Sequence, residues 1–432
     1  MFQNSQTMQI LLKNATYINW ETLEFTQTNI LVDNGINGAI HFISNVDEID
    51  KTKISETIDC KGKLVTKSFA VGHHHAYSAL AKGMPAPKKN PVNFYEILQY
   101  VWWTLDKCLD KETVELSALV TAMACAKAGS TFVIDHHASP NYIKGSLELM
   151  AKAFDTVGVS HLLCYEITDR DGMDKAQEGL EETESYLKKQ QGLVGLHASF
   201  TVGDETLRNA VDLMDRYCTG AHVHLAEDLY DQEHCQSTYN KRITQRFFDA
   251  GILNSSKSIL VHCLHLDDVE REFIGKSSCW TAQNAESNMN NNVGYFNGKG
   301  LGENIMMGTD GMHSDMLQSA KAAFFVGQRF DTIDYPSSYQ RFRNVHRYIS
   351  QNKFLGDGDN NLVVLDYDTA TEINQNNFLG HFIFGIKSNH VQHVISNGKL
   401  IVRDRIITTV NEDEILQLSQ KHGKRLWELM QR

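Results

Sequence analysis

Three consecutive histidines, His73, His74 and His75, are the first residues in this chain whose types and spacing suggest chemistry. Alternate residues of an extended segment face the same side, so His73 and His75 can grip one cation while His74 points away. Further along, His197, His224, His262 and Asp310 each close a short apolar run, as the histidine triplet does. A single histidine at a strand end is more often a hydrogen-bonded structural residue than a ligand, and an HxH pair alone is weak evidence. Five separate strand ends bearing metal-compatible groups are harder to assign to structure alone. Three imidazoles with one carboxylate suit Zn2+ or Fe2+ and leave a position for water, whereas closed structural zinc sites usually contain thiolates.

Groups so far apart in sequence need elements that bring them together. Apolar runs at 69–72, 131–135, 159–165, 193–196, 221–225, 258–261, 277–281 and 305–308 alternate with helical stretches, the pattern of repeated βα units around a parallel sheet. Eight such units favour a closed (β/α)8 barrel over an open sheet, and in a barrel the reactive groups emerge at the carboxyl ends of strands. The helices have their own signals. Phe94, Ile97, Leu98, Val101, Trp102 and Leu105 share a helical face, while Asp110 and Gly129 sit where an N-cap and a C-terminal stop belong. At both chain ends the texture changes to short strands with Asn34-Gly35 and Asn397-Gly398 turns. The expected division is a composite β-sandwich from 1–66 and 362–412, a barrel over 67–361, and a carboxyl-terminal helix over 413–432.

The motifs GHHHAYSAL at 72–80, GLHASFTVGDETL at 195–207, HVHLAED at 222–228, VHCLHLDD at 261–268, NAESNMNNNVG at 284–294 and GTDGMHSDML at 308–317 resemble the amidohydrolase superfamily. The resemblance covers nearly the whole chain and lies in the branch of chlorohydrolases, guanine and cytosine deaminase-like enzymes and adenosine-type aminohydrolases. DHHASP at 135–140 and Trp102-Trp103 add similarity to the SsnA-like aminohydrolases of selenium metabolism. Carried over by position, it implies that His73, His75, His224 and Asp310 hold one divalent metal ion, Zn2+ or Fe2+. It further implies that Glu227 moves protons, that His262 polarises the attacked centre, and that His197 contacts substrate. Trp102 and Asn284 are added as candidate substrate contacts, with Asp310 also acting in catalysis. Read from the residues alone, HxxE at a strand end can equally be an ion pair or a capping group. The chain departs from the family at Lys67-Ser68, Val71-Gly72, Gln283 and Ala285, and none of these removes a ligand.

The expected function is hydrolytic removal of an exocyclic amine from a nitrogen heterocycle of purine, pyrimidine or pterin type through metal-activated water. Hydrolytic dechlorination is an alternative within the same branch. Opening of a cyclic amide is another, but its binuclear practitioners use a lysine on the fourth strand, and 193–197 contains none. A barrel that has lost catalysis and serves as a binding protein is the reading of another class, and the complete ligand set with Glu227 and His262 argues against it. Composition narrows the partners. With 41 basic against 53 acidic residues the net charge is -12, which offers no basic surface for nucleic acid. The start of the chain lacks leader features, and no run approaches the ~20 apolar residues that span a bilayer. The 8 scattered cysteines form no CxxC pair and read as reduced thiols of a cytoplasmic protein. A homodimer is expected from the resemblance alone.

Overall fold

Five strands precede the histidine triplet: β1 (Gln9–Ile18), β2 (Phe25–Asp33), β3 (Ile40–Ile43), β4 (Ile54–Asp59) and β5 (Leu64–Lys67). They come from a computed structural model that describes residues 8–432; residues 1–7, part of the stretch read for leader features, lie outside it. β1 is the hinge of this group. Its register shifts between Leu12 and Ala15, where Asn14 adopts a left-handed φ of 57°. One edge of β1 therefore pairs first with β4, over Gln9–Lys13, and then with β5, at Thr16 and Tyr17. A bulge of this kind lets one strand serve two layers.

The chain then enters eight parallel strands: β6 (Phe69–His74), β7 (Ser130–His137), β8 (Ser160–Tyr165), β9 (Val194–Ala198), β10 (Ala221–Leu225), β11 (Ile259–His262), β12 (Trp280–Gln283) and β13 (Ile305–Met307). β6 to β8 and β9 to β13 pair in order, and backbone hydrogen bonds join the two groups. Leu193 N donates to Leu163 O (3.1 Å) and His197 N to Ile167 O (3.1 Å), linking β8 with β9. On the other side Thr309 N and Asp310 N both donate to His73 O (2.9 and 3.1 Å), which brings the end of β13 against β6 and closes the ring. Gly195 marks one tight approach, since a Cβ there would meet Tyr165 O at 2.2 Å. The seventh strand starts three residues later than the apolar run suggested. The helix Asp268–Lys276 ends at Ser277, whose hydroxyl folds back on Ile274 O (2.8 Å) and keeps that segment out of the sheet.

The lower barrel is filled by Ala70, Phe132, Ile134, Leu162, Val261, Trp280 and Met306. The helix Tyr335–Gln351 closes its amino-terminal end, adding Val345, Tyr348 and Ile349 to that core. Polar side chains of the same helix satisfy the strand entrances. Arg343 donates to Ser68 O (2.8 Å), Asn344 to Ile305 O (2.7 Å) and Tyr348 to Lys257 O (2.8 Å). With the floor sealed by apolar and hydrogen-bonded groups, the opposite end is the open one.

Four final strands, β14 (Leu362–Leu365), β15 (Val391–Ser396), β16 (Lys399–Arg403) and β17 (Ile406–Ile407), return to the amino-terminal group. The order is β17-β16-β15-β14-β5-β1-β2-β3, with β4 on β1. The seam between the chain ends is the antiparallel pair β5 and β14, from Leu362 opposite Lys67 to Leu365 opposite Leu64. Ile10, Leu12, Ile30, Val32, Val65, Leu362, Val364 and Ile395 share its core. Asn397 and Gly398, both at positive φ, make the tight turn between β15 and β16. β5 has no clear apolar signature, because Thr66 and Lys67 interrupt it. Lys67 is nonetheless buried, with Nζ bound to Asp357 O (2.9 Å) and Gly358 O (3.0 Å) and 3.3 Å from the Asp357 carboxylate.

The carboxyl-terminal helix Glu412–Met430 lies on the helix Lys111–Lys127, and Trp427 Nε1 donates to Leu80 O (2.8 Å) just past the histidine triplet. Asp110 caps Lys111–Lys127 through a capping box with Thr113, and Gly129 follows it at a φ of 88°. Among the described residues no helix is long and apolar enough to cross a membrane. Because β5 finds its antiparallel partner only in β14, removal of residues 362–432 is expected to leave the segment before Lys67 unfolded. Limited proteolysis with mass mapping checks this: early cleavage throughout β1 to β4 is expected, and a resistant amino-terminal fragment would contradict it.

Candidate metal centre and pocket

Strand alternation places every second residue on one side, but β6 does not keep strict count. Its register against β7 slips between Val71 and His74. The slip changes parity, so that His73 and His75 follow Ala70 to the barrel interior. His74 turns away, to Ser314 Oγ (3.0 Å) and the Asp135 carboxylate (3.4 Å). His222 and His224 share the inner face of β10. Ligand atoms of His73, His75 and His224 come within 4.8 Å of one another, as do those of His73, His262 and Asp310.

Hydrogen bonds settle which nitrogens are available. His75 Nδ1 donates to His136 O (2.7 Å) and His224 Nδ1 to His197 O (2.7 Å). A carbonyl can only accept, so each neutral ring presents a lone pair at Nε2. Those two Nε2 atoms face each other at 3.1 Å. Two lone pairs at that distance repel unless a cation lies between them. His73 Nδ1 meets His222 Nε2 (2.9 Å), while its Nε2 is buried with no hydrogen-bond partner. Asp310 completes the group, with Oδ1 3.4 Å from His75 Nε2 and 3.9 Å from His73 Nε2. Burial and the neighbouring imidazoles hold His73 and His224 well below the ordinary histidine range, keeping both in the neutral form that binds metal. Three lone-pair nitrogens and a carboxylate, mutually unsatisfied, fit a divalent metal ion.

Beside this set stand Glu227 and His262. Ala226 and His262 both take left-handed φ values, 50° and 72°, as their strands end. These turns carry His262 and Glu227 inward, where strict alternation would have sent other residues. Asn288 Nδ2 donates to His262 Nδ1 (2.8 Å), leaving the ring proton on Nε2, which faces Glu227 Oε2 (3.4 Å) and Asp310 Oδ2 (3.7 Å). Burial pushes His262 down to about 4, Asp310 offsetting only part of it. Glu227 moves the other way: burial and the nearby Asp310 raise its carboxyl well above the usual range. Asp310 itself is pushed up by burial, but His75 and His262 more than compensate and hold it below its ordinary value.

The cavity above these groups has an aromatic wall. Trp102 and Trp103 both line it with Phe94 and Leu98, on a helix interrupted by a π-helical turn at Leu98–Trp102. That turn departs from the continuous helix implied by the sequence, and it lets adjacent tryptophans face one cavity. His197 lines the cavity too, its Nδ1 against Thr201 Oγ1 (2.7 Å) and its ring 6.0 Å from Trp103. Asn284 does not line the cavity. It is buried at the end of β12 with Nδ2 toward Ala282 O, and Ser287 and Asn291 from the following helix occupy the wall instead. His265 holds a loop through Val293 O (2.6 Å), and Asp267 caps the helix after β11 in a capping box with Glu270.

Several participants escaped sequence reading. His222 lies two residues before His224, a same-face spacing that could have announced it. Asn288 and Asn291 sit in an asparagine run that resembles low complexity. Arg170 and Asp106 meet only in the fold, Arg170 bridging Asp106, Glu166 and Asp171 beneath Trp103.

Comparison with known proteins adds an independent view. Residues 72–338 match the amidohydrolase family. The chain is 25% identical to the 5'-deoxyadenosine deaminase of Methanopyrus kandleri, over 93% of this chain and 97% of that one. It is 24% identical to the 5-methylthioadenosine/S-adenosylhomocysteine deaminase of Thermococcus sibiricus, over 91% and 94%. An adenosine deaminase from Xanthomonas campestris, solved with bound zinc, shares the fold with a TM-score of 0.82 at 16% identity, covering 97% of this chain and 98% of that one.

The contact of His222 with His73 yields a prediction. A partner that orients a metal-binding imidazole typically contributes 10- to 100-fold to metal affinity. His222→Ala should weaken zinc binding by about that factor while leaving the far-ultraviolet circular dichroism unchanged, and a chelator-competition titration measures it. Affinity equal to wild type would remove His222 from the support of the centre.

Proposed function

Because the chain belongs to the amidohydrolase family, we propose that it is a metal-dependent aminohydrolase that replaces the exocyclic amine of a nitrogen heterocycle by oxygen and releases ammonia. The observation that carries the reading is the pair of opposed Nε2 lone pairs of His75 and His224 at 3.1 Å beside Asp310, with a raised carboxyl, Glu227, next to them. His73, His75, His224 and Asp310 would hold the ion, Zn2+ in first place and Fe2+ as the alternative. A divalent ion there supplies Lewis acidity that can lower the pKa of a water from 15.7 to ~7, easing hydroxide formation by about 12 kcal/mol.

The chain's own groups divide the remaining work. Asp310 Oδ2 is the acceptor for the proton that the attacking water gives up. Glu227, whose protonated form burial favours, donates from its carboxyl to a ring nitrogen of the heterocycle and recovers a proton from the added hydroxyl as the carbonyl forms, while Asp310 passes the proton it accepted to the departing amine. Overall one water is consumed, the carbon–nitrogen bond breaks and the ring carbon becomes a carbonyl. His262 Nε2–H, fixed by Asn288, stabilises negative charge as it develops at the attacked centre. Trp102, Trp103 and His197 bound the space in which the ring would lie and exclude water from it. The relatives named for deamination of adenosine-type compounds support this reaction class over dechlorination. The same reading takes 1–66 with 362–412 as one accessory domain beside a catalytic barrel of 67–361, and takes the protein as a homodimer, which sedimentation at micromolar concentration tests.

Glu227 separates a working aminohydrolase from a metal-binding barrel. Glu227→Gln should keep its metal content and fold but lose roughly 10²- to 10⁴-fold in kcat, the usual contribution of a general acid or base. Ammonia release across purines, pyrimidines and pterins with metal-loaded protein measures it. Turnover within a few-fold of wild type would assign the proton transfer elsewhere.

A further inference from the structure

Two carboxylates flank the metal centre, and the mechanism uses only one of them. Glu166 follows β8 on the His197 side, its side chain 2% exposed, and one of its oxygens lies within 4.8 Å of the ligand nitrogens of His197 and His224. Its Oε1 accepts from Arg170 Nη1 (2.9 Å). Its Oε2 sits 3.3 Å from His136 Nδ1, which is buried without a hydrogen-bond partner. His136 Nε2 already contacts two carbonyls, Leu196 O (3.2 Å) and His222 O (3.1 Å). Behind the cavity wall on this side three carboxylates, Glu166, Asp106 and Asp171, surround a single guanidinium.

Arg170 is the one lysine or arginine lining the cavity among the described residues. Three of its five N–H donors are engaged by carboxylates. Nη1 is on Glu166, Nη2 on Asp106 and Nε on Asp171 (3.1 Å), and the plane lies against Trp103, 5.1 Å from the ring centroid. Its single positive charge is shared among three carboxylates. An anionic group entering this side would meet Glu166 backed by an excess of carboxylates over the one guanidinium, in a site screened from water. A neutral group bearing N–H or O–H donors would meet an acceptor with open capacity.

We infer that this side of the cavity selects uncharged, hydrogen-bond-donating substrates against anionic ones, and that Glu166 is the specificity-determining residue. The inference rests on the deaminase reading and names its substrate class: amine-bearing heterocycles or nucleosides whose remaining substituents carry no negative charge. Glu166 acts through binding, so its effect belongs in KM and not in the proton transfers assigned to Glu227.

Isosteric pairs test this without a change of shape. Adenosine 5'-carboxamide against adenosine 5'-carboxylate, and 5-carboxamidocytosine against 5-carboxycytosine, differ chiefly in charge. Ammonia release and calorimetric binding are measured with zinc-loaded wild type, Glu166→Gln and Asp106→Asn, the last freeing part of the Arg170 guanidinium. Wild type should favour the carboxamide at least 10-fold in kcat/KM, mainly through KM. Either variant that retains its zinc should narrow that preference to within a few-fold. Equal handling of both members by wild type, a preference for the anion, or an unchanged preference in both variants would overturn the inference while ammonia release upholds the deaminase. Absence of ammonia from every neutral member would overturn the deaminase reading itself, and binding that favours the anion would then overturn the selectivity independently.

Discussion

The carbonyl of His73 accepts two amides, those of Thr309 and Asp310, and this seam between the first and eighth barrel strands is the contact on which the centre depends. It brings a carboxylate that is 235 residues away in sequence from His75 to 3.4 Å from that ring. Without closure, His73 and His75 would stand at the edge of an open sheet. With it, five strand ends point into one volume sealed below by the helix Tyr335–Gln351. The seam also forces the chain to turn sharply: Asp310 holds a φ of 52°, as Ala226 and His262 hold theirs at other strand ends. Left-handed backbone at non-glycine residues costs about 1–3 kcal/mol each. Such strain persists because the surrounding barrel over-determines it, and each turn aims a polar side chain, or the one that follows it, at the centre.

Around that volume the protein controls protonation with hydrogen-bond partners, burial and neighbouring charge. Carbonyls of His136 and His197 take the Nδ1 protons of His75 and His224, so the metal-facing nitrogens are chosen before any ion arrives. Asn288 does the reverse for His262, leaving its proton on the side of the reacting groups. Burial then separates the acids. Glu227, raised, is suited to give a proton, while Glu166 is held low by His197, Arg170 and His136 against the upward push of its own burial.

The aromatic wall depends on one buried cation in turn. Arg170 ties the strand end that bears Glu166 to Asp106 on the helix that carries Trp102 and Trp103. The carboxyl-terminal helix steadies the same region from outside through Trp427 and Leu80. The composition of the wall was visible as a tryptophan pair. Its geometry was not, since the π-helical turn at Leu98–Trp102 leaves no mark in the spacing of apolar residues.

By itself the sequence determined the repeated βα pattern, the apolar runs of the barrel strands and the residues at their ends, because burial on a parallel strand and polarity at its mouth are local properties. It also carried the strands at both chain ends, apart from β5 and β17, which are too short or too polar to stand out. Three things only the tertiary structure decided. The register slip in β6 set which histidines of the triplet point inward, since parity depends on pairing with β7 and not on the triplet itself. The displacement of Asn284 by Ser287 and Asn291 followed from where β12 ends and its helix begins. The linkage of Asp106, Glu166 and Arg170 joined groups from a helix and a strand 60 residues apart in sequence. Each of these rests on hydrogen bonds between distant segments, and one chain's order of residues does not record which distant partner a donor or acceptor will meet.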